Sequence, residues 1–212
     1  MYVPEIFRLD DAAAMGAVIR DNSFGLLVTV SAQGLPQASH LPFDYDEAAG
    51  TRGRLLGHMA RANPQWRDFE ALAAAGGEAL VVFQGAHGYV SPSWYGGGPA
   101  VPTWNYLAVH AYGRPRVVSD PEAVHGLLER MVEQHEAGFA APWRMDDQDP
   151  AFLSRMQRGI VAFEIEVTRL EGKAKLSQNK PEAVRRKVVA ALEAEGDTAL
   201  AGEMRDKVLN GV

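Results

Sequence analysis

Short apolar runs broken by turn residues fill the first two-thirds of this chain, with little helical repeat between them. Phe24 to Val30 is a β-branched apolar run that reads as a strand. Gln33-Gly34 then forms a turn into a second strand around Pro36 to Phe43. Leu55 to Met59 is a third strand. Ala79 to Phe83 is apolar without interruption and reads as a fourth, buried on both faces. Leu107 to Ser119 is a long fifth run, broken by Gly113 and Pro115 in the manner of a bulged or edge strand. Ile160 to Val167 alternates apolar and acidic residues, as a half-exposed strand does. Helical periodicity marks four other stretches. Asp10 to Asp21 places Met15, Val18 and Ile19 on one side. Pro121 to Glu136 follows an Asp120 cap and carries Val124, Leu127, Leu128, Met131 and Val132 as its stripe. Pro181 to Ala194 and Thr198 to Leu209 close the chain as helices. Hairpin-like spacing between the strands favours a mixed α+β fold, mainly antiparallel β, with a barrel or sandwich at its centre and helices outside.

Charge divides the chain. Its 212 residues carry 21 Lys and Arg against 27 Asp and Glu, a net of −6. All five lysines (Lys173, Lys175, Lys180, Lys187 and Lys207) lie after residue 172, so residues 173–212 carry +2 and the first 172 carry −8. That shift marks a main domain over 1–172 and a basic C-terminal element over 173–212. The overall acidity argues against a surface built to cover nucleic acid, and leaves DNA as a partner without support from charge. With no cysteine, disulfides, thiolate metal sites and a Cys nucleophile are excluded. No apolar run approaches the roughly 20 residues of a membrane span, and Met1 to Glu5 lacks a signal-peptide layout. A soluble cytoplasmic protein is expected.

Three segments carry candidate chemistry. In Gly57 to Trp66, a strand runs into a helical turn with Asn63 as cap, Pro64 at its first position and Arg61 beside it. Free amides and a guanidinium there suit an anion; a capped turn with Trp66 in the core explains the same residues. Between Tyr89 and Tyr106 lie Trp94, Tyr95 and Trp104, with Pro92, Gly96-Gly97-Gly98, Pro99 and Pro102. Such a loop covers a flat ligand, packs on another subunit, or forms a small core of its own. Lys173 to Pro181 gathers lysines, side-chain amides and a hydroxyl before a helix, suiting phosphate or the polar edge of a heterocycle, or forming a solvated loop. The six histidines show no zinc spacing, and no metal is expected. Nucleophile elbows, Walker loops and dinucleotide fingerprints are absent. Trp143 reads as part of a packed loop beside the exposed acidic run Asp146-Asp147-Gln148-Asp149.

Six separated blocks then fall in a recognisable order: Met1-Tyr2-Val3-Pro4, Ser39-His40-Leu41-Pro42, His58 to Pro64, Tyr89 to Tyr95, Val101 to Tyr106, and Lys175-Leu176-Ser177-Gln178-Asn179-Lys180. Together they resemble the PaiB family, described as FMN-binding negative transcriptional regulators and related to split-barrel flavin proteins that include pyridoxamine phosphate oxidase. The resemblance spans nearly the whole chain. It implies a split β-barrel with peripheral and C-terminal helices, forming a homodimer with FMN at the subunit interface. Carried over residue by residue, it gives Ser39, His40, Leu41 and Pro42 to the flavin ring. It gives His58, Met59, Ala60, Arg61, Asn63 and Gln65 to ring and phosphate. Trp104, Lys175, Gln178 and Asn179 complete the pocket. Many split-barrel flavin proteins carry a basic residue where Gln65 stands here, so Arg61 or the lysine-rich segment must supply that charge. Two further expectations are a flavin-dependent oxidoreductase, with His40 and His58 as the nearest proton donors, and a haem protein with His58 or His110 as axial ligand. No helix–turn–helix pair with a basic recognition helix is visible. Arg185-Arg186-Lys187 is flanked by Glu182, Glu193 and Glu195 and reads as a solvated face.

Overall fold

The computed structural model describes residues 1–209. Seven strands and six helices follow one another: β1 (Arg8–Leu9), α1 (Ala12–Asp21), β2 (Phe24–Val30), β3 (Pro36–Asp46), β4 (Arg54–Ala60), α2 (Asp68–Ala74), β5 (Ala79–Val90), β6 (Thr103–Val118), α3 (Pro121–Glu136), α4 (Pro150–Gln157), β7 (Ile160–Lys175), α5 (Glu182–Ala194) and α6 (Thr198–Met204). A π turn, Arg205–Leu209, extends α6. The strand order is β1-β7-β4-β3-β2-β5-β6, and β6 pairs again with β7. Strands β7 to β6 therefore close a six-membered antiparallel ring, the expected barrel, which leaves few free edges. The chain groups into two compact units. One holds Ser23–Phe83 and Ala111–Leu170; the other holds Met1–Asn22, Gln84–His110 and the chain from Glu171 on.

In the first of these units, alternation along β2 sends Gly25, Leu27 and Thr29 inward. Phe43, Phe83 and Phe163 fill the interior, with Phe43 edge-on to the other two at 5.7 and 6.1 Å between ring centres. Phe69 of α2 meets Phe163 at 5.3 Å. Gly25 and Gly57 lie against these rings: a Cβ at either would come within 2.9 Å of a phenylalanine carbon. Outside the barrel, α3 buries Leu127 and Met131 against Leu56 and Ala162, and its Arg130 pairs with Asp44 at 2.7 Å. The outward side of β2, with the adjoining parts of β3 and β5, is mainly apolar, His40 being its exposed polar member on β3. Phe24 (67 % exposed), Val30 and Leu35 lie open, and Leu26, Val28, Leu80 and Val82 are half-buried.

Two elements differ from expectation for definite reasons. Strand β7 continues eight residues past Val167 because β1 pairs with its polar end, Arg8 opposite Lys173. Gly113 marks close approach rather than a free edge: a Cβ there would sit 2.2 Å from the Glu166 carbonyl oxygen of β7. Helix α2 continues the capped turn expected at Asn63, whereas the short helix α4 stands where an exposed acidic loop was expected.

Substituting Gly113→Ala should therefore lower stability by about 1–3 kcal/mol, the usual range of overpacking, measured as a shift in the urea midpoint. An unchanged midpoint would place β6 and β7 further apart than described.

Candidate functional site

Strand β4 ends at Ala60, and the turn after it is tied down on three sides. Asn63 caps the 3-10 turn Pro64–Arg67, its Oδ1 accepting from the Gln65 amide at 3.1 Å. The Asn63 Nδ2 donates to Ser39 Oγ of β3 at 2.8 Å. Gln65 is 1 % exposed. Its Nε2 donates toward the carbonyls of Leu27 (3.2 Å) and Gln37 (3.3 Å) and toward Thr29 Oγ1 (3.1 Å). Thr29 in turn donates to Asp68 Oδ2 at 2.8 Å. This buried network locks the turn to β2 and β3. The Gln65 Oε1 is buried with no hydrogen-bond partner among the described residues.

Arg61 is held differently. Its Nε donates to the Arg158 carbonyl at 2.8 Å and its Nη2 to the Ile160 carbonyl at 2.6 Å. A guanidinium has five N–H donors, so several remain. Arg61 lines a hollow of about 390 Å³ with Trp66, Ser119, Ser154, Gln157 and Arg158. Arg158 donates to Ser154 Oγ at 3.1 Å. Among the described residues neither arginine pairs with a carboxylate, and no acid lines the hollow. Two uncompensated guanidinium groups, two hydroxyls and an indole wall suit an anion joined to a flat group. Arg158 escaped the sequence reading because nothing links it to Arg61 over 97 positions.

The remaining expected residues of this unit divide by face. His40 lies exposed beside Phe24, the rings roughly parallel at 6.0 Å. Pro42 is half-buried and Ala60 exposed, whereas Leu41 and Met59 turn into the barrel, leaving only their backbone to a ligand. His58 lines an apolar cavity beside α3 and α4 that adjoins the arginine hollow, Gln157 and Ile160 lining both. Burial pushes its pKa below the ordinary histidine value. His125, Glu129 and Asp146, unmarked by any sequence motif, bring one ligand atom each to within 4.8 Å of one another at the surface.

The other unit gathers the remaining four. Trp104 is 55 % exposed and stands edge-on to Tyr89 at 6.2 Å. Lys175 donates to Thr103 Oγ1 and to the Trp104 carbonyl; burial first and Lys173 second lower its pKa. Burial first and Tyr89 second raise that of Tyr95. With Tyr95, Ser177, Asn179 and Lys180, Lys175 lines a polar hollow of about 150 Å³. Gln178 folds back on its own strand, accepting from the Leu176 amide (2.7 Å) and donating to the Ala174 carbonyl (2.5 Å). It shapes the strand end and has little left to offer a ligand. Ser177, buried with φ 65°, exchanges hydrogen bonds with Asn105 at 3.0 and 3.3 Å.

With this geometry in hand, comparison with known proteins is informative. Residues 1–169 match a family model described as "Putative FMN-binding domain". "Protease synthase and sporulation protein PAI 2" of Bacillus subtilis is 38% identical over 195 residues, covering 92% of this chain and 90% of that protein. An uncharacterized protein of Emericella nidulans is 31% identical over 250 residues, covering 98% of this chain and all of its own length. Among solved structures, the flavocytochrome Anf3 of Azotobacter vinelandii aligns with TM-score 0.56 at 13% identity, over 82% of this chain and 72% of that one. The FAD and heme binding protein of Mycobacterium smegmatis gives 0.55 at 15%, over 86% and 79%. At such identities these two structures speak for the shared fold alone.

The depressed pKa of His58 sets a pH dependence. Below the unfolded value, near 6.5, the unfolded chain takes up a proton that the folded chain refuses. Stability is therefore whole above that pH and falls as pH drops from 6.5 toward the lowered folded value. In melts from pH 7.5 to 5, His58→Gln should flatten that decline; an identical slope in wild type and variant would contradict it.

Proposed function

This chain belongs to the PaiB family of FMN-binding domains, its cofactor is FMN, and we propose that it holds FMN with the phosphate at Arg61 and Arg158 and the ring along β3. The carrying observation is the acid-free hollow in which two unpaired guanidinium groups meet Ser119, Ser154 and Trp66. A phosphate dianion there accepts from both arginines, and the locked Asn63–Gln65 turn keeps strand and hollow in fixed register, so little ordering is needed on binding. The Ser39–Pro42 backbone and His40 then face the ring. Bound FMN supplies the electron-transfer chemistry; the chain binds, orients and screens it.

We propose further that a second copy covers the outward apolar side of β2, β3 and β5, and that it adds Trp104, Lys175 and Asn179 to complete the pocket. The open Phe24, Val30 and Leu35 support this reading, since apolar side chains clustered on a strand surface favour an isologous interface. A role in transcription would then work through flavin occupancy. The basic triplet of α5 gives direct DNA contact no support: Arg186 is paired with Glu182 at 2.6 Å, and Lys187 packs over Gly96.

Two measurements test these readings. FMN and riboflavin differ only in the phosphate, so Arg61→Gln and Arg158→Gln should each weaken FMN about 10- to 100-fold, the range of a charged hydrogen bond, and leave riboflavin unchanged. Equal losses for both ligands would move the phosphate elsewhere. Phe24→Asp should convert a dimer into a monomer by light scattering and weaken FMN with it; wild-type protein that runs as a monomer at all concentrations removes the second copy.

A further inference from the structure

The cavity beside His58 has a composition that the flavin reading does not use. It measures about 270 Å³ and lies among β4, α3, α4, the start of β7 and the segment from Trp143 to Met145. Leu128, Val132, Leu153 and Ile160 line it, with Met145, Met156 and Trp143. Only His58 and Gln157 are polar, and the Gln157 amide already engages His125 Nδ1 at 3.3 Å. Among the described residues no charged side chain lines it. A charged group seated inside would lose its hydration with no counter-charge, so the part of the guest that enters is neutral. Trp143 and Met156 remain 42 % and 48 % exposed. A flat ring can slide against such an indole and thioether wall, and methionine adapts to its outline.

The imidazole decides what polar group the guest carries. Among the described residues His58 Nδ1 is enclosed without a hydrogen-bond partner, and Nε2 makes no hydrogen bond. Enclosing an orphan N–H is less tolerable than enclosing an orphan lone pair. We therefore assign the proton to Nε2, which makes His58 a hydrogen-bond donor to the cavity. Burial keeps the ring neutral in this role. We propose that this cavity is a binding site for a small, neutral aromatic compound bearing a carbonyl-type acceptor oxygen, which accepts from His58 Nε2.

Ligand-detected NMR titration of the purified protein tests this with three probes of one ring size: 2-acetonaphthone, naphthalene and 2-naphthoate. The ketone should bind saturably, naphthalene roughly 2- to 12-fold more weakly, as one net hydrogen bond allows, and the carboxylate not at all. His58→Leu should erase the preference for the ketone over naphthalene. Leu128→Trp should abolish both by filling the cavity, and Met156→Trp at the half-exposed rim gives the same block should the core variant fail to fold. The proposal is overturned if no probe saturates, if binding survives both blocking variants, if 2-naphthoate binds as well as the ketone, or if saturating FMN displaces the ketone. Apart from that last arm the flavin takes no part, so failure here and failure of the flavin reading are separable.

Discussion

Three phenylalanine rings inside the barrel set the distances on which the other features depend. Phe43, Phe83 and Phe163 come from β3, β5 and β7, so their edge-to-face contacts fix three strands at once. Gly25 and Gly57 supply the room, one on β2 and one on β4. A larger residue at either would push a ring outward and shift the strand behind it. Strand β3 carries Ser39, and β4 leads into Asn63, so the 2.8 Å bond between those two inherits its geometry from aromatic packing several residues away. Core and site are in this sense one construction.

Around that frame, polar groups are sorted by what they can still offer. Gln65 and Gln178 look alike in sequence, as amides near helical starts. Both prove to be internal fasteners, one across three elements of the barrel unit and one within a single strand end. Arg61 and Arg158 each make internal hydrogen bonds yet keep donors in reserve with no carboxylate to quiet them. That difference separates a residue that builds a site from one that meets a ligand. Both arginines stand exposed with donors free to meet an anion, which is why the arginine hollow outweighs the amides in the functional reading.

Much of the barrel was legible from patterning. Strand β2 falls where its apolar run does, and α3 where Asp120 and Pro121 announce it. Helix α4 begins with the same signal, Asp149 capping and Pro150 at the first position, but the neighbouring acidic residues gave that stretch the look of an exposed loop. The far half of β7 was hidden because Thr168 to Lys173 is polar; its strand character comes from pairing with β1, a partner more than 160 residues away. Site residues followed the same rule. Local caps such as Asn63 could be read directly, whereas Arg158 and the cavity behind His58 arise only when distant segments fold together.

Ser177 illustrates a different economy. It is the one described non-glycine residue with a left-handed backbone, and it sits where β7 gives way to the approach to α5. Glycine would adopt that torsion freely but would leave the buried Asn105 amide with only the weakly accepting Met204 sulfur at 3.4 Å. The hydroxyl is therefore retained against the backbone's own preference, and the reciprocal pair it forms works as a latch. A latched strand end has one shape rather than several, so Lys175 and Asn179 on either side are presented at a constant separation whatever occupies the hollow between them.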